Sequence, residues 1–562
     1  MHICYNKKND ISKIVRGDDR FLAIKKQSFM NGVLVIMVSQ IVIKVMGFLY
    51  RIILTNFPEF SNEGNSYYGS GYQIYTFILA IATMGIPNTM SKLISEKLAV
   101  GDKRGAHRIF RTAMGLFTFI AVIFALGLFF GSGFIATNIL NNPGVKYTLM
   151  ALSPAIIFVA MSAVLRGYFV GMQNMMEYSK AQILEQIINS AFSVIFVMML
   201  IGTNNPAIMA AGSTLATTVA TSSAFLYLLL YYNKNKKDIW QDIKKSEKFA
   251  IDSRNKIVKK LISYVVPIAL GSVVSALAGV IDVVTVVDGL QKAGCTLQEA
   301  NYKFGIIVGK VDILNAVPMS INVAFSVALV PFISAAIARH QKKEAVNKIN
   351  YSLKVSSIIA LPCTFGMFLL AKPIFELLFP NSPDGYNLLQ IQCWQLIFTV
   401  LAQTVYGSLQ GLGKLYVPGI CLIIGAIVKY VMNVTLIPIY QEYIPVLSSV
   451  TYNVISCVLA FIILFKVLKE KPNLKEIFLK PLIATLAMSV VTILTYKSLS
   501  YINMSGNLAT IITIIIAVIA YVVFTLMFGV LNSDELAQLP YGNKICKVFG
   551  NKKKSEKKAE KC

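Results

Sequence analysis

Fourteen apolar stretches, each about long enough to cross a bilayer as an α-helix, follow one another along this 562-residue chain. A hydrocarbon core of about 30 Å requires about 20 apolar residues in helical form. Charged residues are only 14% of the sequence, whereas a soluble domain carries about 25%. The pattern therefore predicts an all-α polytopic membrane protein and excludes a soluble multidomain one. The predicted spans are residues 28–54, 68–93, 112–133, 147–172, 183–202, 207–232, 263–288, 304–337, 350–372, 387–410, 416–438, 444–467, 481–498 and 508–530.

The Lys and Arg residues between the spans fall nearly all on one side of the predicted membrane. The N-terminus, the loops at 94–111 and 233–262 and the C-terminal tail are basic, whereas the opposite connections hold few cations, among them Lys146, Lys292 and Lys303. The positive-inside rule then places both termini in the cytoplasm of a multi-pass plasma-membrane protein. The net charge of +26 lies mostly in these loops and tails, where cations attract anionic lipids. We see no module of basic residues with aromatic residues between them, a pattern that would indicate nucleic-acid binding.

The sequence also repeats itself. The segment 85–91, which ends the second span, resembles 329–334 in the eighth span, and each runs into a basic loop. The segments 166–173 and 406–413, which close the fourth and tenth spans, match at nearly the same offset. Six spans separate the copies, so both copies have the same orientation, which is an architecture of transporters. The repeat predicts two parallel six-helix lobes and two additional C-terminal helices.

The predicted organisation follows from the spans, the charges and the repeat together. It consists of a basic N-terminal tail (1–27), an N-lobe (28–232), a basic linker (233–262), a C-lobe (263–467), two further helices (481–530) and a Lys-rich C-terminal tail (531–562).

Several features of enzymes are missing from the sequence. The three histidines, His2, His107 and His340, all fall outside the predicted spans, so no histidine base or metal cluster is expected within the membrane. A phosphate-binding GxxxxGK[ST] loop is absent, which argues against ATP hydrolysis. The eight cysteines show no metal-ligand spacing. We therefore expect no enzyme activity, no metal and no cofactor, with coupling to Na⁺, H⁺ or the membrane potential left open.

Three segments resemble a known family. They are 44–51 in the first span, 85–96 in the second and 165–175 in the fourth, and they are similar to the stage V sporulation protein B-like polysaccharide biosynthesis proteins. That family is grouped with the lipid II flippases in the multidrug/oligosaccharidyl-lipid/polysaccharide exporter superfamily. The resemblance implies a V-shaped pair of six-helix lobes around a central cavity, with the two extra helices forming a groove for a long lipid tail.

Charges inside the spans are the candidate site residues, because a charge at mid-bilayer costs at least about 2.5–3.5 kcal/mol and usually faces a cavity or a partner. Lys44 and Arg51 are seven residues apart, or two helical turns, and so share one face. The alternative is that they snorkel to the headgroups, which is easier for Arg51. The resemblance implies that first-span cations hold the diphosphate of the substrate. In this sequence the first cation is Lys rather than Arg, and the acidic residue that follows the second is missing.

Two further cations are candidates for substrate binding. Arg166, near the inner end of the fourth span, is either a gate residue or a snorkelling one. Lys310, near the outer start of the eighth span, is either a substrate cation or half of an internal ion pair. Glu185 begins the fifth span and is predicted to act in gating or capping.

The remaining candidates concern a coupling ion, a proton or gating. Asp282 and Asp288 lie in the outer half of the seventh span, although helix-end or lobe-pairing roles are slightly favoured for both. Asp312 is the potential partner of the cation two residues before it. Lys429 and Asn433 are four residues apart and share a helix face. With Asp282 they are predicted to line the C-lobe.

Together these features predict a flippase that moves a polyprenyl-diphosphate-linked oligosaccharide, such as lipid II or a polysaccharide precursor, from the inner to the outer leaflet by alternating access. Its expected partners are that substrate, membrane lipids and envelope-synthesis proteins. Two alternatives stay open. One is a drug or cation antiporter of the same superfamily, and the other is a non-transporting scaffold for envelope or spore assembly.

Overall fold

The computed structural model of the protein describes residues 29–245, 252–320, 341–414, 416–468 and 475–531, with the isolated positions 322, 333 and 339. All regular secondary structure in these ranges is helical. They contain 12 helices or helix runs that are long and apolar enough to cross a membrane. The predicted all-α multi-pass membrane class is therefore confirmed. The count of fourteen stays a prediction, since α1 is not among the twelve and the eighth predicted span lies partly outside the described residues.

The helices are numbered here in chain order. They are α1 (Phe29–Thr55), α2 (Ser61–Ala82), α3 (Ile86–Ala99), α4 (Lys103–Phe134), α5 (Val145–Gly171), α6 (Met175–Leu200), α7 (Pro206–Lys245), α8 (Arg254–Lys292), α9 (Leu297–Ile306), α10 (Lys342–Leu369), α11 (Ala371–Leu378), α12 (Tyr386–Gln392), α13 (Gln395–Gly411), α14 (Val417–Tyr440), α15 (Tyr443–Leu468), α16 (Lys480–Tyr501) and α17 (Gly506–Met527). Wider π-type turns extend α4 over Ile135–Ile139, α9 over Ile307–Val311 and the start of α16 over Lys475–Leu479.

The chain divides into two compact units. The first unit holds the described residues up to Tyr50, Ser70–Ile139 and Pro143–Ala276. The second unit holds Arg51–Gly69, Leu140–Asn142 and the described residues from Leu277 onwards. The lobe boundaries predicted from the sequence stay predictions.

In the first unit, α3 and α5 approach each other closely because two glycines of α5 face α3. A Cβ atom on Gly167 would lie 2.4 Å from the Cβ of Met90, and one on Gly171 would lie 2.7 Å from the Cβ of Ile94. These glycines are four residues apart and so lie on one face of the helix, as in other membrane helix pairs. The conspicuous motif at 166–173 thus serves helix packing. Around it Phe110 and other buried apolar side chains form the core of the unit.

In the second unit, the start of α2 packs against α9 and its π-type extension in a similar way. A Cβ atom on Gly305 would lie 1.6 Å from the carbonyl oxygen of Asn62, and one on Gly309 would lie 2.4 Å from the Cγ of Asn65. The backbone at Gly305 therefore packs directly on backbone, and that at Gly309 packs on an asparagine side chain. Two further apolar clusters complete the unit, one among α10, α13 and α15 and one between α16 and α17.

Candidate functional site

Lys44 is the sixteenth of the 27 residues of α1 and therefore lies near the middle of that helix. Its side chain is exposed. Among the residues that the structure describes, none forms a hydrogen bond or ion pair with its ammonium group. A lysine at this depth cannot face hydrocarbon without a large desolvation cost, so it requires water or an anion beside it.

Arg51 lies two turns further along α1 and is buried, with 8% of its surface exposed. Its guanidinium carbon sits 4.0 Å from the centroid of the Tyr68 ring, which is a favourable cation–π arrangement. Its Nη2 donates a hydrogen bond to the carbonyl oxygen of Val308 at 3.4 Å. Its Nη1 is buried and has no hydrogen-bond partner among the described residues. Because buried donors are normally paired, Arg51 has capacity for a further acceptor.

The predicted group of Asp282, Lys429 and Asn433 comes together between α8 and α14. Lys429 is buried, and its Nζ lies 2.5 Å from the Oδ2 of Asp282. It also donates to the Oγ of Ser449 at 2.9 Å. Asn433 donates to the Oδ1 of Asp282 at 3.1 Å and to the Oγ1 of Thr285 at 2.9 Å. The carboxylate is therefore compensated by a charge and an amide, as a buried ion pair requires.

Asp312, in the helical segment after the π-type turn, is half-buried. Its Oδ1 accepts a hydrogen bond of 2.6 Å from Gln392 at the end of α12. No basic side chain among the described residues pairs with it directly. Asp282, Lys429 and Arg51 lie near enough to interact with it electrostatically. Among the described residues, Asp312 therefore lacks a cation of its own.

Lys310 is completely buried within the π-type turn. Its ammonium group donates to the carbonyl oxygen and the Oγ of Ser382, the latter at 2.9 Å, in the loop between α11 and α12. The rings of Phe375 and Phe379 lie 6.0 and 5.5 Å from it. In this arrangement the loop encloses the charge, and Asp312 forms no ion pair with it. Its predicted role as a substrate cation stays a prediction.

Asp288 lies at the exposed end of α8. Its Oδ2 is 2.5 Å from the Nζ of Lys292, four residues later in the same helix, and its Oδ1 accepts a bond of 2.8 Å from Asn141. This arrangement matches the helix-end role that the sequence favours slightly over ion coupling.

Arg166 on α5 forms an ion pair with Glu185 on α6 within the first unit. The guanidinium group also lies 5.8 Å from the Tyr178 ring. In the sequence the two charges are separate candidates, and only the structure pairs them. Glu185 belongs to a polar row on α6, in which Gln182 accepts a 2.9 Å hydrogen bond from Gln40 of α1.

Sequence reasoning missed the neutral partners of these charges, chiefly Tyr68, Ser382, Gln392 and Ser449. It considered mainly the charged residues of the spans. A glutamine such as Gln392 in an otherwise apolar segment is itself a signal, because an amide buried in a membrane helix needs a hydrogen-bond partner. Which partner it finds depends on packing between segments that are far apart in the sequence.

Comparison with known proteins supports the fold. The protein aligns with the solved structure of lipid II flippase MurJ in an inward closed conformation. The alignment covers 88% of this chain and 99% of the MurJ chain, with a TM-score of 0.62 and 14% identity. The solved structure of a multidrug resistance MATE family transporter of the MOP superfamily, in an inward-facing conformation, also aligns. The alignment covers 80% of this chain and 100% of that chain, with a TM-score of 0.62 and 16% identity. The predicted superfamily fold is therefore confirmed.

Sequence relatives point the same way. Stage V sporulation protein B of Bacillus subtilis (strain 168) is 23% identical over 521 residues, which are 92% of this chain and 98% of that protein. Lipid II flippase MurJ of the same organism is 24% identical over 449 residues, or 77% of this chain and 82% of that protein. The MatE family model matches residues 311–435. The family model described as polysaccharide biosynthesis protein matches residues 29–337, more than half of the chain. The chain therefore belongs to the polysaccharide biosynthesis protein family.

Proposed function

We propose that the protein is a flippase that moves a polyprenyl-diphosphate-linked oligosaccharide from the inner to the outer leaflet of the plasma membrane. The observation that carries this proposal is Lys44, an exposed cation near the middle of a membrane helix with no described partner. A diphosphate is the kind of group that such a cation would stabilise. Without such compensation its charge would make passage through hydrocarbon prohibitive.

Arg51 supports the same proposal. Its free Nη1 donor leaves a guanidinium edge available for a phosphate oxygen, and the Tyr68 ring fixes the plane of the group. Arginine favours phosphate because its planar donors match two phosphate oxygens. Lys44 would supply the first point charge and Arg51 the directed hydrogen bonds, both from α1. No bond of the substrate would be made or broken.

Family relatives are consistent with this assignment, since one of them is named as a lipid II flippase. A drug or cation antiporter would be expected to present acidic rather than basic side chains to its cargo. The two best acidic candidates from the sequence, Asp282 and Asp288, are already paired with Lys429 and Lys292. The cationic α1 therefore favours an anionic headgroup.

For coupling, Asp312 is our candidate, because it lacks a basic partner among the described residues and lies near three other charges. We propose that a proton or Na⁺ binds there during the cycle. Transport by an Asp312→Asn variant should then lose its response to an imposed proton or Na⁺ gradient. Asp288→Asn, which removes a half-buried carboxylate near the end of α8 that is paired with Lys292, is the matched control and should respond normally. A normal response of the Asp312→Asn variant to the gradient would contradict the coupling proposal but not the proposed flippase function.

The substrate class is tested by reconstituting the purified protein in liposomes under an imposed ion gradient. Outer-leaflet appearance is measured for fluorescent lipid II, for a polyprenyl diphosphate with a different glycan, and for a fluorescent phospholipid. Movement of lipid II alone assigns a peptidoglycan precursor, and movement of both diphosphates assigns a broader flippase. Movement of none of them by folded protein would overturn the proposal and favour the antiporter or scaffold alternatives.

A further inference from the structure

A cleft of about 480 Å³ opens in the first unit, where α4 begins. Arg104, Arg108 and Arg111 of α4 line it at positions i, i+4 and i+7. This spacing places the three side chains on one helix face over about 10 Å. Arg254, the first residue of α8, and Trp240 of α7 also line the cleft. Four guanidinium groups thus surround one cavity.

The carboxylates of the cleft are already neutralised by lysines. The Nζ of Lys97 lies 2.9 Å from the Oδ2 of Asp102 and 3.1 Å from the Oδ2 of Asp252. Lys256 lies 3.0 Å from the other oxygen of Asp252. The hydrogen bonds from Lys256 and Lys97 lower the pKa of Asp252, which therefore stays ionised and paired. The four arginines form no ion pair or hydrogen bond with any described residue, so the cleft has uncompensated positive charge.

A buried histidine forms part of the wall of the cleft. The ring of His107 stacks on Tyr232, with centroids 6.4 Å apart, and meets Trp240 edge-on at 5.3 Å. Only 6% of the histidine is exposed, and its Nδ1 has no hydrogen-bond partner among the described residues. The wall of the cleft therefore contains one buried imidazole nitrogen that no described residue pairs with, although such atoms are normally paired.

The position of the cleft along α4 indicates where the ligand comes from. Beyond Arg111 the helix becomes apolar and exposes Phe119, Ile123 and Leu126, which are suited to contact with lipid tails. Phe119 lies about 16 Å along the helix axis from Arg108. The arginines therefore lie at the boundary between hydrocarbon and water, on the side that the positive-inside rule assigns to the cytoplasm.

We propose that this arginine cleft, formed by Arg104, Arg108, Arg111 and Arg254, binds the phosphate of an anionic phospholipid headgroup. Arginine donors match phosphate oxygens in geometry and charge, and basic pockets between membrane helices are suited to lipid headgroups. A free phosphate has the same chemistry, but only a lipid delivers it at this depth with its tails beside the exposed apolar residues of α4. The site is independent of the proposed transport function.

Trp240 provides a direct probe, because the chain has only two tryptophans. A Trp394→Phe variant leaves Trp240 as the sole emitter. Its fluorescence is titrated in nanodiscs of phosphatidylcholine with a rising fraction of phosphatidylglycerol, and separately with inorganic phosphate and pyrophosphate. We expect a saturable change with phosphatidylglycerol, no change with phosphatidylcholine alone, and at least about tenfold weaker binding of the free anions.

Variants connect the signal to the cleft. A triple variant with Arg104→Gln, Arg108→Gln and Arg111→Gln is expected to lose the fluorescence response. The single variant Arg108→Gln is expected to weaken the response several-fold, and it serves as the test if the triple variant does not fold. The charge-matched control changes Lys342, Lys343 and Lys414 to Gln, all of them exposed and outside the cleft. It should respond normally.

Three results would overturn the proposal. One is the absence of any saturable change with phosphatidylglycerol, and another is an equal loss of response in the control. The third is binding of free pyrophosphate at least as tight as that of the lipid, which would assign the cleft to a soluble anion.

Discussion

Lys429 on α14 and Asp282 on α8, both residues of the second unit, face each other with the lysine Nζ 2.5 Å from the aspartate Oδ2. Ser449 and Asn433 occupy the neighbouring hydrogen-bonding positions. The lysine is buried, so the pair is a fixed element of this unit rather than an exposed contact. Its net contribution is modest while both partners are present, but an unpaired survivor is costly.

Removal of the carboxylate should therefore destabilise the protein. In an Asp282→Asn variant Lys429 would be left buried without its counter-charge, and the expected loss is about 3–5 kcal/mol. Thermal unfolding in detergent measures it. Asp288→Asn, which breaks an exposed pair with Lys292, should cost at most about 1 kcal/mol. Adding Lys429→Met to Asp282→Asn should recover most of the loss. Equal stability of the two single variants would show that the pair is not buried as described.

The close contact of α5 with α3 gives a second prediction. Gly167→Ala places a methyl group 2.4 Å from the Cβ of Met90 and 2.8 Å from the carbonyl oxygen of Pro87. The helices must then separate, at an expected cost of about 1–3 kcal/mol. Gly127→Ala in α4, where no atom lies within 4 Å of the new Cβ, is the matched control and should be neutral or slightly stabilising. Thermal unfolding of both variants decides the matter, and equal melting temperatures would refute the packing.

Arg166 and Glu185 should be energetically coupled, since they pair between α5 and α6. A double-mutant cycle with Arg166→Gln and Glu185→Gln is expected to give a coupling energy of about 0.5–3 kcal/mol from unfolding measurements. If the two changes in the free energy of unfolding are additive, the two side chains do not interact and the ion pair is absent.

Lys310 should behave as a structural residue in this conformation. Lys310→Met removes the donor that holds the carbonyl oxygen and hydroxyl of Ser382, and the loop between α11 and α12 should open more often. Hydrogen exchange of that loop is expected to speed up by about tenfold or more, which corresponds to about 1.4 kcal/mol. Lys372→Met, on an exposed side chain at the start of α11, should leave exchange unchanged. Unchanged exchange in Lys310→Met would mean that the lysine does not hold the loop.

Apolar periodicity was sufficient to predict the helical membrane class, because span length and charge placement are set by the bilayer itself. Helical spacing also placed Lys429 and Asn433 on one face, and the structure brings them to Asp282. Both inferences depend on local sequence or on gross composition.

Other relationships depend on contacts between distant segments. Lys44 and Arg51 share a helix face by spacing, yet the first is exposed and the second is covered by Tyr68 and Val308. The spacing of residues along one helix does not reveal which neighbouring segment covers each side chain. The enclosure of Lys310 depends similarly on a loop about 70 residues later in the chain.

The most direct test of the central claim is the rate at which fluorescent lipid II reaches the outer leaflet of proteoliposomes that contain wild-type, Lys44→Gln or Lys44→Glu protein. Lys146→Glu, on an exposed lysine at the start of α5, is the charge-matched control. Because Lys44 has no described partner, both of its variants should fold and melt like wild type. We expect Lys44→Glu to slow the transfer by at least about tenfold, Lys44→Gln to slow it less, and Lys146→Glu to transfer normally. Transfer at the wild-type rate by folded Lys44→Glu protein would show that Lys44 is not needed to carry the headgroup.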